Sequence, residues 1–125
     1  MKKPGRPVGT NTKQKATYDR NRYANDPIFR ETVLIRQAKV RKRNLQFTWD
    51  YLLKHPCMLC GETDPIVLDF DHINPEEKTY NVATLSSRSC SLDKLLQEME
   101  KCQVLCANCH RRKTAFQFGW YKNID

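Results

Sequence analysis

Cys57-Met58-Leu59-Cys60-Gly61 and Cys106-Ala107-Asn108-Cys109 are two Cys-x2-Cys pairs with 45 residues between them. Each pair sets two sulfurs on one tight turn, and two such turns supply the four thiolates of a tetrahedral structural zinc site. Gly61 eases the turn after the first pair. The separation exceeds that of an ordinary zinc ribbon, so the chain between the pairs holds structure of its own. Cys90 and Cys102 are left over and read as core or surface thiols. With 125 residues, 39% hydrophobic, 29% charged and a mean hydropathy of -0.75, the core is thin. A metal staple offsets that.

Working outward, Ile66-Val67-Leu68-Asp69-Phe70 reads as a strand bounded by Pro65 and Asn74-Pro75, with Asp71-His72 at its end. A loop follows as far as Ser91. Ser91 caps a helix in which Leu92, Leu95, Leu96 and Met99 recur at core spacing. Gln103-Val104-Leu105 reads as a second strand. A last helix starts within Ala107-Asn108-Cys109-His110 and runs to about Phe118, before Gly119. Strand, strand and helix tied by zinc would bring Asp71, His72 and His110 together. A carboxylate and an imidazole suit one divalent metal open to phosphate and water. A second imidazole, held off the metal, can take a proton from water near neutral pH. His55 reads only as a helix-ending residue.

Charge divides the chain. Residues 1–56 carry 14 Lys/Arg and 4 Asp/Glu, and residues 57–125 carry 8 and 10, within a total of +8. The first half reads as a polyanion-binding segment. Residues 1–25 show no apolar period and are expected to be a flexible basic tail. Within it, Pro4-Gly5-Arg6-Pro7-Val8-Gly9 is similar to the core of an AT-hook, with Arg6 placed for a narrow minor groove. Residues 26–54 read as a basic helical extension. Asp26 and Pro27 start a helix over 27–43 whose apolar stripe is Ile28, Phe29, Val33, Ile35 and Val40. Arg36, Lys39, Arg41, Lys42 and Arg43 are expected to offer cations to phosphates. A second short helix, 49–54, is expected from Thr48 as cap, with a Phe47–Leu52 staple. No apolar run is long enough to cross a bilayer, and no secretory signal is expected. A reducing, cytoplasmic setting follows, in a bacterial or phage-infected cell, where metal thiolates outnumber disulfides.

The residues Cys57-x2-Cys60, Leu68-Asp69-Phe70-Asp71-His72-Ile73-Asn74-Pro75 and Leu105-Cys106-Ala107-Asn108-Cys109-His110-Arg111-Arg112-Lys113-Thr114 resemble the HNH endonuclease family over about 57–116. The resemblance implies an α+β protein with a small ββα-metal domain (55–120) and a four-cysteine zinc site. It implies His72 as general base, and Asp71 and His110 as ligands of magnesium or another divalent ion. The four cysteines would hold a separate structural zinc. DNA is the implied partner, in a homing, packaging or restriction-type role. Lys78, Arg111, Arg112 and Lys113 are further candidate phosphate contacts. Many family members carry Asn where this chain has Lys101. The competing reading is a zinc module that binds nucleic acid without catalysis. A zinc redox switch lacks the βαβ pattern such a function needs.

Overall fold

The computed structural model describes residues 12–124; Arg6 and the AT-hook-like segment lie outside them. The chain divides into two compact units, Met1–Gln37 and Ala38–Asp125.

In the first unit, helix α1 (Thr12–Asn25) occupies residues expected to lack regular structure, and it buries no side chain. Pro27 ends it by disfavouring helical geometry at the residue before it. Helix α2 (Pro27–Lys54) then starts as expected: Asp26 Oδ1 accepts from the N–H groups of Ile28 and Phe29, each at 3.1 Å. Arg30 reaches back to the carbonyls of Tyr23 and Ala24, each at 2.9 Å, and satisfies orphan acceptors at the end of α1. The Arg22 guanidinium lies 4.1 Å from the Phe29 ring centroid. These joint contacts, absent from any periodicity count, support α1.

Helix α2 is continuous where two helices were expected. Thr48 does not cap; its hydroxyl donates to the carbonyl of Asn44 at 2.8 Å, a bond that leaves the helix unbroken. Phe47 and Leu52 join different apolar clusters, so no staple forms. The expected stripe is also weaker than its pattern: Ile28 and Ile35 are exposed, and Phe29, Val33 and Val40 are half-buried. The later turns of α2 carry the packing instead, through Asn44, Phe47, Tyr51 and Leu52.

The second unit is built on a two-stranded antiparallel sheet, β1 (Leu68–His72) and β2 (Cys102–Cys106). β1 starts two residues later than expected, because Asp64 caps a 3₁₀ turn at Pro65–Val67, accepting from Ile66 N–H at 3.0 Å. The register pairs Leu68 with Cys106, Phe70 with Val104, Asp71 with Gln103 and His72 with Cys102. The expected loop between the strands contains a 3₁₀ turn, Pro75–Glu77, and helix α3 (Val82–Ser86), capped by Asn81. Ser91 caps helix α4 (Leu92–Glu100) as expected. Helix α5 (Ala107–Phe118) ends at Gly119, whose φ of 64° is the left-handed C-terminal geometry that glycine adopts without strain.

Two apolar clusters flank the sheet. Leu52, Leu68, Val104 and Leu105 pack with Cys57, Cys106 and Cys109; Val82, Leu85, Leu95 and Met99 form the other. The described chain is thus a small mixed α+β protein with five helices, one two-stranded sheet and a cluster of four cysteines.

Candidate functional site

The first pair of cysteines lies on a loop after α2, and the second straddles the junction of β2 and α5. The four Sγ atoms of Cys57, Cys60, Cys106 and Cys109 lie within 4.8 Å of one another. Cys60 Sγ and Cys106 Sγ are 3.6 Å apart; sulfurs bound tetrahedrally to one zinc at ~2.3 Å sit about 3.8 Å apart. The backbone shapes the turns for this purpose. Gly61 has φ 79°, and its N–H donates to the Cys57 carbonyl at 2.9 Å. Cys109 N–H donates to Cys106 Sγ at 3.4 Å. Burial raises the Cys57 thiol, but N–H groups around it and the Cys60 thiol outweigh burial and bring it down to about 6. Its bond to Cys106, with burial, pushes Cys109 up to about 12. Four thiols in this arrangement could hold a metal ion such as zinc, which would stabilise all four as thiolates.

Cys90 and Cys102 lie outside this cluster. Cys90 donates to the Leu85 carbonyl at 3.3 Å, and Cys102 to the Glu98 carbonyl at 3.4 Å. Burial, helped by Glu98 and Asp71, pushes the Cys102 thiol up to about 11.

Asp71, His72 and His110 share a cleft rather than a three-way contact. They line one cleft of about 260 Å³ together with Phe70, Lys78, Asn81 and Thr114. Alternation along β1 sends Asp69 and Asp71 to one face and Phe70 and His72 to the other. On the first face His110, in the opening turn of α5, bridges both carboxylates: Nδ1 lies 3.3 Å from Asp69 Oδ2, and Nε2 lies 3.5 Å from Asp71 Oδ1. A carboxylate behind an imidazole orients the opposite nitrogen, the arrangement found behind metal-binding histidines. Asp71 Oδ2 accepts from Gln103 at 2.9 Å and from the Lys113 ammonium. Burial works to raise the Asp71 carboxyl, but Gln103, Lys113 and His110 together hold it below the usual carboxylate range.

On the second face His72, with a side chain only 9% exposed, places Nε2 2.8 Å from Glu98 Oε1. Glu98, on α4, is 2% exposed. Its Oε1 also accepts from the N–H groups of Thr79 and Tyr80, at 3.0 and 3.1 Å, and Oε2 pairs with Lys101 Nζ at 3.0 Å. Burial raises the Glu98 carboxyl, but the Tyr80 N–H, Lys101, His72 and the Thr79 N–H outweigh it and bring it down to about 2.

The basic residues separate into groups. Arg36 lines a cleft in the first unit with Lys15, Tyr18, Arg22 and Phe29. Lys39 and Lys42 are exposed and Arg41 is half-buried. Arg43 is tied to Asn44 Oδ1 and the Cys90 carbonyl. Arg111 and Arg112 are exposed on α5, and Lys78 lines the cleft. Lys113, one of the candidate phosphate contacts, pairs with Asp71. Glu98 and Gln103 are further site residues that the motifs do not single out. The signals were present: Glu98 is three residues from Leu95 on the core stripe, and Gln103 falls opposite Asp71 once the strands are paired. No protein-family model, curated protein or solved structure matches this chain.

Proposed function

We propose that the chain is a metal-dependent DNA endonuclease of the HNH type, hydrolysing phosphodiester bonds with His72 as general base. The observation that carries this reading is the convergence of Asp71, His72 and His110 on one cleft, in a unit that also holds the four-cysteine cluster. Asp71 and His110 would hold one divalent ion, magnesium or a similar metal, while the four cysteines hold zinc. Bound there, the divalent ion would supply electrophilic stabilisation of charge on the phosphate and on the departing 3′-oxygen. Asp69 keeps the His110 ring turned so that Nε2 faces Asp71. His72 takes the proton of the attacking water. Lys78 adds positive charge beside the phosphate. The basic residues of α1 and α2 supply affinity for DNA that does not depend on its sequence.

The test is plasmid cleavage with and without added magnesium, manganese, nickel or cobalt, beside His72→Ala. Metal-dependent cutting that His72→Ala reduces by roughly 10²-fold or more is expected. One observation favours a second reading, a zinc module that binds nucleic acid without cutting it: the Lys113 ammonium already neutralises Asp71. Absence of cleavage with all four metals, with DNA binding intact, would establish that reading.

A further inference from the structure

The Glu98 carboxylate has little freedom. Leu95 and Met99, three residues before and one after it on α4, are fully buried, so the face of the helix that carries Glu98 cannot turn outward. Its oxygens receive four donors: His72 Nε2, the N–H groups of Thr79 and Tyr80, and Lys101 Nζ. Lys101 is itself braced, with Nζ 3.0 Å from Thr79 Oγ1 and its carbonyl accepting from Ile73 N–H at 3.1 Å, directly after His72. An ionised carboxylate accepts hydrogen bonds and donates none. The ring proton of a neutral His72 must therefore sit on Nε2, which leaves the lone pair on Nδ1. No hydrogen bond to Nδ1 is found among the described residues, and the ring lines the cleft.

We infer that Glu98 is the positioning residue for His72: it fixes the Nε2–H tautomer and the ring orientation, so that Nδ1 is the atom that takes the proton from water. Lys101 holds Glu98 in place from the other side. This inference rests on the nuclease reading for its catalytic consequence, but the tautomer itself does not. As the imidazole gains its second proton, the adjacent carboxylate stabilises the cation without itself being protonated, as in a hydrolase triad.

The experiment uses the zinc-loaded full chain and two variants, Glu98→Gln and Glu98→Ala. Long-range ¹H–¹⁵N correlation at mildly alkaline pH reads which ring nitrogen of His72 carries the proton, with no DNA present. Single-turnover plasmid cleavage reads the rate. In the wild type, Nε2 carries the proton, and its resonance is shifted downfield by the carboxylate. Glu98→Gln keeps an acceptor for the Thr79 and Tyr80 N–H groups and so keeps the fold. Its Nε2–H resonance moves upfield, and the single-turnover rate at saturating enzyme falls roughly tenfold or more, with the enzyme concentration for half-maximal rate unchanged, short of the ~10²–10⁴ contributed by the base itself. Glu98→Ala, where it folds, shows both tautomers and a larger loss. His72 protonated on Nδ1 in the wild type overturns the inference. So does a Glu98→Gln variant that cuts at the wild-type rate with an unmoved resonance. A wild type that shows the Nε2–H tautomer but cuts no DNA overturns the nuclease reading and supports the tautomer assignment.

Discussion

The Lys113 ammonium rests on Asp71 Oδ2, so a divalent ion at Asp71 and His110 must share that carboxylate with a resident cation. Lys113→Met removes the competitor. The metal concentration giving half-maximal cleavage should then fall, on the order of tenfold for a partly exposed neighbouring charge. Metal titration of cleavage checks this, and a rise instead would assign Lys113 to phosphate. Asp71→Ala and His110→Ala should raise the metal requirement and be partly rescued by excess metal, whereas His72→Ala should not be. Glu98 adds a pH signature. Its carboxyl lies at about 2 in the fold against an ordinary 4.5. A depressed folded value stabilises fully above 4.5, and that contribution is lost as pH falls towards 2. Glu98→Gln lacks it at every pH, so the gap between the two denaturation midpoints should narrow below pH 4.5. A constant gap would show that the charge does not stabilise. The clustering of the four cysteines, and the common cleft of Asp71, His72 and His110, are legible in the sequence because these residue types are unusual at those spacings. Glu98 is not, since a glutamate on a charged helix ordinarily faces water, and only the approach of α4 to the end of β1 reveals its buried role.

Among the elements, α2 carries an unusual anchor. Asn44 is fully buried, its Nδ2 donates to the carbonyls of Arg88 and Cys90 at 2.9 and 3.0 Å, and its Oδ1 accepts from Arg43. It ties the helix to the turn between α3 and α4. Asn44→Ala leaves the Arg88 carbonyl without that donor and should cost about 2 kcal/mol. Urea denaturation of the zinc-loaded protein measures it, and a loss within error of zero would mean that water replaces the amide. The same helix shows where sequence reading stops. Thr48 and Phe47 spell a helix start, and the pattern cannot tell a capping hydroxyl from one bonded back to Asn44. α1 was missed for the opposite reason: its partners are guanidinium groups and carbonyls at the joint, and these leave no apolar period. α4 and α5 were legible to within a residue or two, through Ser91 and its leucine stripe and through Gly119.

At the scale of the whole molecule, the four-cysteine cluster joins segments that lie 45 residues apart in sequence. Cys57→Ser should unfold the second unit, because a metal held by the four thiols would be coupled to folding, whereas Cys90→Ser should cost under about 1 kcal/mol. Circular dichroism and zinc content together check the pair, and equal losses would refute the ligand assignment. Removing residues 1–25 should weaken DNA binding and flatten its dependence on salt, while leaving turnover at saturating DNA in place. An unchanged slope would reduce that segment to a bystander. The ladder itself has one more consequence. Cys106 is the last residue of β2, paired with Leu68, and at the other end Cys102 is paired with His72. Sliding one strand by a single position would turn every side chain on it to the opposite face. Cys106 would then point away from its three fellow thiols. A metal held by the four thiols would thus act as a proofreader of strand alignment: an ion captured at one end of the ladder would certify, at the other end, which side of the sheet the imidazole occupies.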